Sequence, residues 1–115
     1  MKNISEEIKL PSINKVDDKQ IIELLNYCGI KHSYEGYLYI FAFIRYSIDH
    51  FGEKKGTVKT YEEIGKRFNK TKTAIERCIR NAVKNSNMPK MTNRGFITEA
   101  VGSLVFGTDI KNFKE

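Results

Sequence analysis

The sequence has little of what metal, disulfide, membrane or catalytic chemistry requires. Its 115 residues hold two histidines, two cysteines, two prolines and no tryptophan. His32 and His50 lie far apart, and no Cys-x-x-Cys or His-x-x-x-His spacing occurs, so no metal or other cofactor is expected. Cys28 and Cys78 each fall inside an apolar helical pattern, where a reduced thiol is the usual state. The longest nearly unbroken apolar run, Tyr37 to Ile44, is eight residues, far short of the ~20 that span a bilayer. No membrane partner is expected. The acidic start, Met1 to Glu7, lacks the apolar stretch and cleavage site of a signal peptide, which points to the cytoplasm. Also missing are a Gly-rich phosphate loop, a serine elbow and paired carboxylates in an apolar setting, so an enzyme is not expected. The aromatics near Gly36 (Tyr34, Tyr37, Tyr39, with His32) read as core and boundary residues. They fall in helical patterns and not on a strand platform, which disfavours stacking of RNA bases.

What the sequence does have is a core and a concentrated charge. Hydrophobic residues make up 40%, with seven Phe and six Tyr, too many for a disordered basic tail. A chain of this size makes one domain and buries roughly two-thirds of its unfolded surface. The net charge is +6. Residues 1–53 carry 6 basic and 8 acidic side chains, residues 54–84 carry 10 and 3, and residues 85–115 carry 4 and 3. The whole excess therefore falls in the middle segment, as one electropositive face or as a solvated lysine-rich helix pair.

Periodicity divides the chain into an N-terminal arm (1–16), a helical domain (17–107) and a polar tail (108–115). The fold expected is all-α, a compact bundle of about five helices containing a helix-turn-helix. The first helix is capped by Asp17 or Asp18 and runs to about Tyr27, stopping at Gly29. The second, Tyr34 to Phe51, is apolar nearly all round, with Leu38, Phe41, Ala42, Ile44, Ile48 and Phe51 as its main stripe. Thr60 and Glu63 have the form of a capping box opening a third helix to Phe68. A fourth runs from about Lys72 to Lys84 or Asn85 and buries Ile75, Cys78, Ile79, Ala82 and Val83. The last runs from Thr92 or Asn93 to Phe106 and stops at Gly107.

Residues 61–80 carry the packing pattern of a helix-turn-helix: Ile64 and Phe68, Gly65 at the close approach, then Ile75 and Cys78. Asn69 suits a left-handed turn position, whereas Lys70 departs from the apolar residue usual after it. The face opposite the stripe presents Thr73, Glu76, Arg77 and Arg80, the residue types that read base edges in the major groove. Lys59, Lys66, Lys70, Lys72 and Lys84 lie where phosphates would run, and Tyr61 and Thr71 could add neutral phosphate contacts. The plainer alternatives are that Glu76 completes a capping box with Thr73, and that Arg77 and Arg80 merely cover a helix surface.

At these residues the chain resembles the C-terminal DNA-binding effector domain of the stage-zero sporulation master regulator, a response regulator family. The resemblance runs from about Ile21 to Val105. It rests on Gly36-Tyr37-Leu38-Tyr39, Ile64 to Asn69, Ile75-Glu76-Arg77-Cys78-Ile79-Arg80, and Thr92-Asn93 followed by Phe96-Ile97. It implies an all-helical domain whose second motif helix reads a short box in double-stranded DNA, with Glu76 and Arg77 at base-reading positions. It also implies binding as a homodimer or tandem dimer on adjacent boxes, and contact with RNA polymerase. Ala74 stands where the family carries a further arginine, and the loop from Asn85 to Met91 is shorter than the family's. Sixteen N-terminal residues are too few for a receiver, so the family's phosphorylation switch is expected to be missing. The sequence-specific DNA-binding regulator is thus the leading reading. The other is an adaptor or antagonist that keeps the fold but binds another regulator or RNA polymerase instead of DNA.

Overall fold

Five helices follow one another in the computed structural model, which describes residues 15–53 and 56–110. They are α1 (Asp18–Tyr27), α2 (Glu35–Asp49), α3 (Thr57–Phe68), α4 (Lys72–Lys84) and α5 (Asn93–Phe106). No strand occurs among the described residues. The all-α bundle is as the periodicity predicts.

Three of the five starts have a local cause in a side-chain cap. Asp17 caps α1, accepting from the Gln20 amide at 3.0 Å, while the Gln20 side chain accepts from the Asp17 amide at 2.9 Å. Thr71 and Thr92 cap α4 and α5 through bonds from the Ala74 and Gly95 amides at 3.0 and 2.9 Å. Such caps satisfy amides that the helix itself leaves unpaired. The capping box expected at Thr60 is absent. Helix α3 begins one turn earlier, after Gly56, and the Thr60 hydroxyl donates to the Gly56 carbonyl at 3.3 Å. The reason is packing: Thr60, Tyr61, Ile64 and Gly65 are all buried, and half-buried Thr57 and Phe68 extend that stripe to both ends of the helix.

Helix α2 sits at the centre, touching the other four. Its buried residues are Gly36, Tyr39, Ile40, Ala42, Phe43 and Ile44, whereas Leu38 and Phe51 of the expected stripe are 51% and 41% exposed. A helix apolar all round has no periodic signal to fix its rotation, so its neighbours decide. The deciding contact is Gly36 against α4, where an added Cβ would lie 2.3 Å from the Cys78 carbonyl oxygen. On the outer side, Arg45 ties α2 to the start of α1, pairing with Asp18 at 2.8 Å and donating to the Val16 carbonyl at 3.0 Å.

The core is continuous from Val16 to Ile110. Both residues fall outside the expected domain limits, 17–107, yet are buried. After Gly107 turns left-handed (φ 70°), the Thr108 amide returns to the Ser103 carbonyl at 3.1 Å and brings Ile110 back onto the bundle. The remainder of the expected arm and tail, residues 1–14 and 111–115, lies outside the described residues. Cys28 is fully buried, and desolvation pushes its thiol up to about 12; Cys78 is half-buried and its Sγ–H donates to Glu35 Oε1 at 3.6 Å. Among the described residues, no helix is long and apolar enough to cross a membrane, and no group of three or more potential metal ligands assembles.

Candidate nucleic-acid interface

Helices α3 and α4 meet through a three-residue turn, Asn69 to Thr71. Asn69 takes the left-handed conformation (φ 57°, ψ 47°), and the Lys70 amide closes the turn on the Gly65 carbonyl at 2.8 Å. A Cβ on Gly65 would lie 2.5 Å from the Lys70 carbonyl oxygen, so only glycine admits this close approach. Phe68 packs on Tyr39 of α2 with ring centroids 5.2 Å apart. The five packing positions read from the sequence come together here: Ile64 and Ile75 are buried to 1% and 0%, Gly65 is buried, and Phe68 and Cys78 are half-buried against the core.

The apolar stripe of α4 is Ile75, Ile79, Ala82 and Val83, all buried. Its outer face carries Thr73, Arg77, Arg80 and Lys84, all exposed and spaced by three and four residues. Thirteen residues at 1.5 Å each make α4 roughly 20 Å long, and a helix about 10–12 Å across with its side chains suits a groove ≈ 12 Å wide. Glu76 lies half-buried at the edge of this face. Because Thr71 is the cap, Ala74 occupies the third position of the helix, and no capping box joins Thr73 to Glu76. Thr71 remains exposed, with its oxygen engaged by the Ala74 amide.

Lys59 and Lys66 on α3, Lys70 in the turn and Lys72 at the start of α4 are exposed as well. None of these lysines, nor Arg77, Arg80 or Lys84, forms an ion pair with another described residue. Arg45, by contrast, is held by two aspartates. Cations left unpaired on one side of a motif are free to meet an external polyanion without first breaking a contact. Arg67, exposed beside Lys66 in the last turn of α3, belongs to the same group and escaped sequence reasoning.

Tyr61 is a correction. Expected at a phosphate, it is 6% exposed and packs edge-on against Phe43, with centroids 5.0 Å apart. Its hydroxyl accepts from Asn93 Nδ2 at 3.2 Å, and burial pushes its phenol above the ordinary value. A tyrosine has an apolar body and one polar tip, and here the body belongs to the core. The same Asn93 Nδ2 donates to the Glu76 carbonyl at 3.0 Å. One amide group thus joins the start of α5 to α3 through the Tyr61 hydroxyl and to α4 through the Glu76 carbonyl. The sequence marks Asn93 only as a candidate start of the last helix, and its bridging of Tyr61 and Glu76 depends on distant partners.

A family model described as "Sporulation initiation factor Spo0A C terminal" matches residues 21–104. No curated protein matches the chain.

Proposed function

The chain belongs to the family of the Spo0A C-terminal effector domain, a family of DNA-binding domains in sporulation control, and from that premise we propose that it is a sequence-specific regulator of transcription that binds double-stranded DNA through α4. The observation that carries this reading is the row Thr73, Arg77, Arg80 on the exposed face of α4, unpaired and opposite a fully buried stripe. Arg77 and Arg80 each have the fork that engages O6 and N7 of a guanine, Glu76 can accept from a cytosine amino group, and Thr73 can bond to either kind of base. Lys59, Lys66, Lys70, Lys72 and Lys84, with Thr71, hold the two phosphate strands on either side. The first turn of α4 adds the positive end of its dipole near a phosphate.

Titration of duplex DNA at several salt concentrations tests this. With about six phosphates engaged, the logarithm of the association constant falls with the logarithm of salt at a slope near −5. Two domains bound side by side on adjacent boxes would give a slope near −10. A flat response, or no binding to any genomic fragment, contradicts the proposal.

A further inference from the structure

Away from the proposed recognition face, the C-terminal end of α2, the start of α3 and the length of α5 line an open-sided cavity of about 470 Å³. That volume lies inside the range of small-molecule sites, ~300–1,000 Å³. Its walls are unusually aromatic for so small a domain. Three ring pairs line it: Phe43 with Tyr61 at 5.0 Å, Tyr46 with His50 at 4.3 Å, and Phe51 with Phe106 at 5.9 Å. Phe51 and Phe106 stand at the rim, 41% and 40% exposed, an arrangement that leaves two large apolar side chains partly in water.

The polar groups on this cavity are of unequal availability; Ser47, Thr57 and Thr98 contribute neutral hydroxyls, and the charged groups decide its sign. Glu53 is engaged by His50 Nδ1 at 3.1 Å, and the Thr60 hydroxyl by the Gly56 carbonyl. The Tyr61 hydroxyl already accepts from Asn93. Arg94, at the second position of α5, is exposed and has no hydrogen-bond or ion-pair partner among the described residues. The charge left unanswered on an aromatic cavity is therefore positive. At Gly102 an added Cβ would meet nothing within 4 Å, so the α5 wall leaves open space where most helical positions would be filled.

We propose that this cavity is a binding site for a small organic carboxylate with an aromatic or branched apolar body, the body lying between the three ring pairs and the carboxylate on the Arg94 guanidinium. An apolar body fits walls built from aromatic rings, and the guanidinium fork matches the two oxygens of a carboxylate. A cationic ligand is disfavoured by Arg94, since the carboxylate that could receive it, Glu53, is turned onto His50. The site lies largely outside the helix-turn-helix: of its named residues only Thr57, Thr60 and Tyr61 belong to α3, and none belongs to α4.

Phenylacetate, its neutral analogue phenylacetamide and the cation phenethylamine, titrated into the full chain and followed by backbone amide NMR, test the proposal. Phenylacetate is expected to bind with a dissociation constant of about 0.1–5 mM, as its size allows, and to shift amides along α5 and the end of α2. Phenylacetamide should bind about tenfold more weakly, and phenethylamine more weakly still. Arg94→Gln should erase the preference for the carboxylate while leaving phenylacetamide binding unchanged. Gly102→Leu, which fills the open space, should weaken both. Equal affinity for carboxylate and amide, a preference that survives Arg94→Gln, shifts confined to other surfaces, or no binding of any probe at about 20 mM would each overturn it.

Discussion

Arg77→Ala is expected to lower affinity for the cognate box by roughly 1–3 kcal/mol, about 5- to 150-fold, while leaving affinity for random duplex nearly unchanged. The asymmetry follows from position. Arg77 projects from the middle of the exposed face of α4, one turn after Thr73, where in the proposed complex a side chain meets base edges and not the phosphate strands. Having no acidic partner among the described residues, it breaks no ion pair when truncated, so stability should hold. Lys66→Ala is the matched control. On α3, to the side of the groove-facing row, it should weaken specific and random DNA alike and make the salt slope shallower by about one. Equal loss of specific and random binding by Arg77→Ala, measured by competition at fixed salt, would mean that the recognition face lies elsewhere.

The second large effect concerns the scaffold. Gly36→Ala should destabilise the fold by about 3 kcal/mol or more, since a Cβ there would sit 2.3 Å from the Cys78 carbonyl and 2.8 Å from the Ala82 Cβ. Neither is the free end of a flexible side chain, so α2 and α4 must move apart. For a domain of this size that amounts to a fall in Tm of roughly 15 °C. Gly102→Ala makes the contrast: with nothing within 4 Å of the new Cβ, it should stabilise by about 0.5–1 kcal/mol through helix propensity alone. Thermal unfolding of the two variants side by side separates the causes. If both shift Tm by the same amount in the same direction, the close approach of α2 to α4 is not what positions the recognition helix.

Features legible in the sequence are those with local causes. Asn69 marks the turn because its side chain tolerates a left-handed backbone, and Gly65 marks the close approach because nothing larger fits. The outer face of α4 was legible for a related reason. Once Ile75, Ile79, Ala82 and Val83 define the buried side, helix geometry alone places Thr73, Arg77, Arg80 and Lys84 opposite.

Three features were not legible, each because a distant partner decides it. The rotation of α2 depends on what packs around a helix apolar on every side, so Leu38 was expected inside and Tyr39, Ile40 and Phe43 took its place. Thr60 and Glu63 imitate a helix start, but the buried stripe that continues back to Thr57 wins. Tyr61 has the same composition whether its hydroxyl faces a phosphate or Asn93, and only the α5 start, 32 residues away, settles which. The family match over residues 21–104 supplies what physics on one sequence does not, the kind of polymer such a face meets. The eight described basic residues of the segment 54–84 all lie on α3, on α4 or in the turn between them.

Selection of bound duplexes from a random pool, carried out at one fixed salt concentration, tests the central claim most directly. A short box should emerge with guanines at the positions served by Arg77 and Arg80, and the same selection with Arg77→Ala should return a box degenerate at one of them. A bound pool with no more sequence bias than the input would contradict the account, and so would an unchanged box after Arg77→Ala.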